Sequence, residues 1–578
     1  MTQQTWDREV DVIVAGSGAS GMSAAITAHL AGREVLMVEK TDRIGGSTAI
    51  SGGAVWAPLN RKSAAAGHPD SYEQAWTYMR ETVGEAAPAE LQRAFLDACG
   101  EALAYLEANT RLNLAARTYS PDYYPERAGA ALGGRSLDPL AFDGRLLGRH
   151  FRELRDPLRE FMVLGGMMIT LTDAKQLLSV WGSRAAFKAG AKLVLRYLID
   201  RVRGFHRGTR LVLGNALAAQ LFMTMLERAI PYQLNTRVTS LLVEDGAVCG
   251  AVLEHRGGTQ RVRARHGVVV ATGGFPWHAQ LREALYPQPT GPWSMSPNGN
   301  AGEGIALARG AGARLGTGHF APAFFAPVSI RTLADGSQIR YPHLVWDRAK
   351  PGLMAVNAAG QRFVNESTSY HEFVLGMYRS HETVPTLPAF LVCDRPFIDR
   401  WGLGLALPGG RPRRHLIRDG YLFEAPTLGA LAGQLGVDAA GLRQSVAQFN
   451  QAARTGVDDA FHKGSTAYNQ YLGDPDHAPN PCLGALEQGP FYAVKVYAGD
   501  IGTACGIRCD GRARALDEHG RPIPGLYVVG NDMHSVMGGQ YPAPGITLGP
   551  ALTFGYLAGR EVSQAPRRTA REPELELS

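Results

Sequence analysis

Residues 10–39 carry the pattern that most restricts what this chain can become. Val10–Ala15 (VDVIVA) is a short apolar run ending in glycines, which predicts a buried parallel strand. Gly16-Ser17-Gly18-Ala19-Ser20-Gly21 follows at once, then a small-residue helix over Gly21–Ala31 and a second strand over Glu34–Val38. This is a βαβ unit with GxGxxG at its first turn. The first glycine permits the tight turn and the second lets backbone approach a pyrophosphate. The third lets helix and strand pack closely, while the helix N-terminus supplies amides and a dipole for the anion. Glu39 closes the second strand, placed to accept from a ribose hydroxyl. A chain that begins this way is an α/β protein with a Rossmann-like dinucleotide-binding domain.

Composition bounds the rest. In 578 residues, 45% hydrophobic and 19% charged, a large core is available and wholesale disorder is excluded. The 69 glycines form clusters without a Gly-X-Y period, as backbone pressed against a ligand would require. Net charge is 59 − 53 = +6, too mild at this length to imply nucleic acid. The six cysteines (99, 249, 393, 482, 505, 509) are scattered and none forms CxxC, which predicts reduced thiols in a cytoplasmic protein. Cys505 and Cys509 have no His near them in sequence and the histidines show no ligand spacing, so no metal is expected. The polar N-terminus resembles no secretory signal, and no run of 18 apolar residues spans a membrane.

Further along, Glu90–Asn109 has helical periodicity. Val238–Val243, Val248–Glu254 and Gln260–Ala264 predict a small antiparallel ribbon, with Gly267–Thr272 (GVVVAT) as a separate buried strand. The expected division is an FAD-binding domain over 1–280 with a helical insertion near 150–215, an inserted α+β catalytic domain over 281–490, a second FAD-binding part over 491–562, and a disordered tail over 563–578. Within the insertion, 177–210 joins apolar residues to eight Arg or Lys with Asp200 as its one acid. Such a stretch either lies on a membrane surface or forms a helix pair with a solvated basic face.

Several features favour FAD over NAD. Gly45-Gly46-Ser47-Thr48 and Ser51-Gly52-Gly53 form a second small-residue loop just after Glu39 and Lys40, able to follow a longer nucleotide. Strand ends at Ala271-Thr272-Gly273 and Gly530-Asn531-Asp532 lie far downstream, where a simple NAD domain would not need them. The combination resembles the flavoprotein class that includes fumarate reductase flavoproteins and 3-ketosteroid dehydrogenases, with a glutathione-reductase-type FAD-binding domain. The resemblance implies that Asn531 or Asp532 reaches the ribityl–phosphate region and that the helix beginning near Thr547 and Leu548 aims its N-terminus at the flavin. Val238 is a further expected FAD contact. Fumarate enzymes clamp a dicarboxylate with Arg and His, and the segments GDIGTACG (499–506) and GGQYPAPGITLG (538–549) contain neither. Ser47-Thr48 stand where some relatives place the His that carries covalent flavin, so FAD is expected to be noncovalent.

Three tyrosine segments instead resemble the 3-ketosteroid 1-dehydrogenase family. Gln540–Gly545 (QYPAPG) resembles the turn whose Tyr hydroxyl and Gly amide hold the substrate C3 carbonyl, which implies Tyr541 and Gly545. Phe363–Tyr370 (FVNESTSY) resembles the segment of the base tyrosine, implying Tyr370. Pro121–Tyr124 (PDYY) resembles that of an assisting tyrosine, implying Tyr123, with Tyr124 as its neighbour alternative. The implied reaction is 1,2-desaturation of a 3-ketosteroid, with electrons passing to a quinone or other external carrier. Rival expectations are 4,5-desaturation of a 5α-3-ketosteroid, another bulky-ketone dehydrogenase, a fumarate-type reductase and a flavin sensor without turnover. Phe320–Val328 with Trp293, Met295 and Phe554 would line the steroid pocket or form ordinary core.

Overall fold

The computed structural model describes residues 6–178 and 183–567; positions 179–182 of the basic stretch and the tail from 568 lie outside them. Its larger sheet is built on the βαβ unit. Val35–Val38, Arg8–Ala15, Gly258–Val270 and Pro522–Val528 run parallel side by side, and their apolar residues are buried because helices cover the sheet. The helix Ala19–Leu30 packs along the last helix, Leu548–Gln564. The small faces of both helices explain this closeness: a Cβ on Gly555 would stand 2.5 Å from the Ser20 carbonyl oxygen. The chain's two ends thereby close one domain.

The ribbon prediction needs one correction. Residues 260–264 and 267–270 belong to one continuous strand, Gly258–Val270, which pairs antiparallel with Ala247–His255 at its start and parallel with Arg8–Ala15 along its length. An irregularity between Val10 and Val12 absorbs the change where the strand passes from ribbon to domain core.

A second, six-stranded sheet has Phe491–Thr503 near its middle, with Ala323–Thr332 on one side and Ala389–Cys393 on the other. The boundary expected at 490 therefore falls just before a strand that this sheet cannot lack. Phe491–Thr503 runs from the second sheet straight toward the dinucleotide domain, so one strand fixes the two units against each other. The last helix also continues to Gln564, past the expected start of the tail at 563. Among the described residues no helix is long and apolar enough to cross a membrane.

Candidate active site

A cavity of about 1660 Å³ runs between the two sheets. That exceeds the ~300–1,000 Å³ typical of one drug-sized ligand, so it has room for a dinucleotide and a second molecule. Gly16 through Ser20 line one end. Gly16 has φ +112°, and a Cβ there would meet the Ala271 carbonyl oxygen at 2.1 Å, so only glycine brings this turn against the next strand. Glu39 accepts from the Ser17 hydroxyl at 2.6 Å and from the Thr41 amide at 3.0 Å, which fixes its carboxylate at the cavity edge. Lys40, Gly46, Ser47, Thr48, Ser51, Gly52, Gly53, Val238, Ala271, Thr272, Gly273, Gly530, Asn531, Gly545, Thr547 and Leu548 also face this space.

Three expected residues stand behind the wall instead. Gly21 packs against the Gly16 carbonyl, and Gly45 donates its amide to the Ser17 hydroxyl at 3.1 Å. Asp532 is fully buried; its carboxylate accepts from the amides of Thr272, Gly273 and Gly274 and from the Thr272 hydroxyl. It shapes the loop that faces the cavity, and Asn531 is the neighbour that lines it. Sequence reasoning missed Asn300, whose side chain donates to the Ser47 hydroxyl at 2.9 Å and to the Gly273 carbonyl at 3.1 Å. Nothing local marks an Asn in a long loop for that position.

The other end holds the phenols. Tyr123, Tyr370 and Tyr541 come from segments hundreds of residues apart and meet on one wall. The Tyr123 hydroxyl donates to that of Tyr370 at 3.1 Å. The Tyr541 ring stacks on Tyr123 with centroids 5.5 Å apart and meets Tyr370 edge-on at 4.9 Å. Each is held by its own segment. The Tyr123 amide donates to the Pro542 carbonyl at 2.7 Å, pinning Tyr123 beside Tyr541, while the preceding Asp122 is locked by Arg135 at 2.9 Å. Tyr370 is the first residue of the helix Tyr370–His381, whose N-cap Ser369 accepts from the Glu372 amide. Tyr124 points elsewhere and donates to Glu372 at 2.8 Å.

Burial pushes the hydroxyls of Tyr123, Tyr370 and Tyr541 above the usual phenol range. Opposing this at Tyr123 is the charge of Arg117, which lines the cavity; the buried Arg348, which donates to the carbonyls of His343, Leu344, Glu366 and Thr368, also interacts with Tyr123. These positive charges favour the ionised form of Tyr123, and the helix N-terminus at Tyr370 presents a positive dipole end to the same cluster. Sequence reasoning missed Arg348, and also Tyr468, whose ring lies 4.5 Å from that of Tyr123.

Gly545 links the two ends. It has φ +100°, and a Cβ would meet the Trp56 nitrogen at 2.5 Å. Its carbonyl accepts from the Trp56 amide at 3.0 Å. The amides of Gly545, Ile546, Thr547 and Leu548 donate to no other group among the described residues. They open the helix Leu548–Gln564 and form a cluster of unpaired donors, which suits a flavin's electron-rich edge and a developing oxyanion.

The expected apolar wall lies elsewhere. Met295 faces the cavity, but Phe324 and Phe325 are buried in core, Phe554 stacks on Phe95, and Phe320 is exposed. The wall comes from Phe161–Leu164 and Met167 in the insertion and from Leu344–Trp346 and Leu405 in the second unit. Of the cations along it, Arg117 engages Asp138, Arg210 engages Asp173 and Lys350 engages the carbonyls of Leu472 and Gly473, while Arg159 and Arg411 line it as well.

A Gly-rich cradle, the Glu39 carboxylate at the cavity edge and unpaired amides at a helix N-terminus belong to an FAD-dependent oxidoreductase of α/β fold. The chain belongs to the FAD binding domain family, which it matches over residues 11–548. Within that family it is 37% identical over 571 residues to the 3-oxosteroid 1-dehydrogenase of Mycolicibacterium smegmatis, covering 96% of this chain and 97% of that protein. It is 38% identical over 561 residues to the 4-oxocyclohex-2-ene-1-carboxylate 5-dehydrogenase of Sinomonas cyclohexanicum, covering 96% and 94%. The fold superposes on the crystal structure of 3-ketosteroid delta1-dehydrogenase from Sterolibacterium denitrificans in complex with 1,4-androstadiene-3,17-dione. There the TM-score is 0.90 and identity 38%, with 96% of this chain and 99% of that chain covered.

Proposed function

We propose that this protein introduces a C1–C2 double bond into a 3-ketosteroid. The observation that carries the reading is the meeting of Tyr123, Tyr370 and Tyr541 beside the unpaired Gly545 amide, with apolar walls beyond. In this reading the Tyr541 hydroxyl and the Gly545 amide hold the C3 carbonyl oxygen, and as charge develops there they acidify C2–H. Tyr370 takes the C2 proton, with Tyr123 donating to its oxygen as it becomes basic. Gly16–Ser20, Glu39 and the loops through Thr48 and Gly273 would hold FAD noncovalently, and the bound flavin would supply the acceptor for the electron pair leaving C1. An external carrier such as a quinone then takes the electrons.

Both an oxo-carboxylate dehydrogenase and an oxosteroid dehydrogenase occur among the relatives, and the long apolar wall from Phe161–Leu164 and Leu344–Trp346 favours the bulky apolar substrate. The test is anaerobic bleaching of bound flavin by androstenedione against 4-oxocyclohexanecarboxylate, with Tyr370→Phe beside the wild type. Rapid bleaching by the steroid is expected, slowed at least ~10²-fold in the variant, the usual scale for losing a general base. Bleaching by the oxo acid alone would overturn the steroid reading, and an unimpaired variant would overturn the base.

A membrane contact belongs to the same reading. The helix Arg184–Val202 exposes Phe187, Leu195, Leu198, Ile199 and Val202 beside Lys188 and Lys192, while its Val194 lines the cavity. An apolar patch rimmed by cations fits an anionic bilayer, from which a steroid could enter directly. Asp200, the one acid, is turned inward onto Arg145 and Thr209. Co-sedimentation with anionic vesicles should fall sharply in Leu198→Asp/Val202→Asp; unchanged sedimentation would refute the contact.

A further inference from the structure

Three donor side chains outside the catalytic constellation converge from distant segments. His319 sits on the loop before Ala323–Thr332, Cys505 just after Phe491–Thr503, and His534 just after Asn531 and Asp532. Their ligand atoms all lie within 4.8 Å of one another. We propose that His319, Cys505 and His534 form a site for one thiophilic d10 ion, Zn²⁺ or Cu⁺, at the seam between the second sheet and the dinucleotide domain.

His534 is 5% exposed, yet neither of its ring nitrogens has a hydrogen-bond partner among the described residues, and Nδ1 of His319 is likewise buried and unpartnered. Buried polar groups are normally hydrogen-bonded, so three unpartnered imidazole nitrogens at one place ask for a ligand. The Cys505 thiol has only a long contact, 3.7 Å, to the Gly316 carbonyl. Metal–ligand bonds of ~2.0–2.3 Å place tetrahedral donors about 3.3–3.7 Å apart, so side-chain rotation suffices to close the site.

The backbone is already fixed for this purpose. The Cys505 amide donates to Pro322 at 3.0 Å, the His534 amide to Ile507 at 2.8 Å, and the Gly316 amide to Gly506 at 2.8 Å. Thr317 and Gly318 are exposed and His319 half-buried, which gives an ion a path in.

The chemistry of the donors fits. Burial holds both imidazoles below the ordinary histidine range, His534 down to about 4, so they are neutral and have a free lone pair. Burial pushes the Cys505 thiol up to about 12, so an ion must displace its proton. The Sγ–H bond breaks, the Sγ–metal bond forms and the proton goes to solvent, with no change of oxidation state. Two nitrogens and one thiolate leave a Cu⁺ site neutral and a Zn²⁺ site singly positive. Arg508, whose charge reaches His534, disfavours the second.

The experiment uses the flavin-loaded protein, stripped with chelator, then exposed to Zn²⁺, or to Cu⁺ under anaerobic reducing conditions, desalted and analysed for metal and for Tm. The wild type should retain about one equivalent of at least one of the two ions, with a raised Tm. His319→Ala, His534→Ala and Cys505→Ser should each retain below about 0.1 equivalent while keeping flavin absorbance. His319 lies on a partly exposed loop, so its variant keeps the fold if the buried ones do not. Failure of the wild type to retain either ion overturns the site, as does undiminished retention in His319→Ala.

Discussion

Tyr123→Phe isolates what the second phenol contributes. It deletes one hydroxyl from a buried stack and leaves the ring contacts with Tyr468 and Tyr541 in place. In the resting site the lost bond joins two neutral phenols 3.1 Å apart, worth about 0.5–1.5 kcal/mol. When Tyr370 carries the negative charge, the same bond is charge-assisted and worth about 1.5–3 kcal/mol. Both states lose the bond, so the barrier rises by the difference, about 1–1.5 kcal/mol, which at 1.36 kcal/mol per decade should slow proton removal about 5- to 13-fold. The pH dependence should move with it. An ordinary phenol at pH 7 needs about 4 kcal/mol to ionise, and burial raises Tyr370 further. The competent phenolate is therefore scarce at neutrality, and the rate should rise from pH 7 to 9 by up to about 100-fold. In Tyr123→Phe the rise should persist, displaced to higher pH. Single-turnover flavin bleaching across this range measures both effects. Tyr124→Phe is the control, because that hydroxyl bonds Glu372 and should leave the profile unchanged. A flat profile in the wild type, or an unaltered rate in Tyr123→Phe, would refute the argument.

Tyr541→Phe should lower kcat and kcat/KM together, because the hydroxyl's bond to the ketone oxygen strengthens as enolate character develops; a rise in KM alone would make Tyr541 a mere binding contact. Gly545→Ala forces a left-handed φ on alanine and a Cβ within 2.5 Å of the Trp56 nitrogen. It should release flavin on gel filtration and lower Tm. Asp532→Ala leaves the amides of Thr272, Gly273 and Gly274 without their acceptor, so FAD affinity measured by titration should fall at least about tenfold.

The sequence determined this protein's class through contacts that are close along the chain. The turn at Gly16–Gly21, the strands beside it and Glu39 obey local rules of periodicity, dihedral freedom and dipole, so composition and spacing suffice to read them. The three tyrosine segments were legible through family resemblance, because each is a short motif. The tertiary structure decided what touches what. It turned Asp532 away from the cavity to hold a loop, moved the apolar wall from Phe320–Val328 to Phe161–Leu164, Met167 and Leu344–Trp346, and brought the charges of Arg117 and Arg348 to bear on Tyr123. It also gathered His319, Cys505 and His534, which no spacing rule connects. These outcomes depend on how two sheets close around one long strand, Phe491–Thr503, and the free energy of that closure is spread over non-local packing that leaves no trace in the order of neighbouring residues.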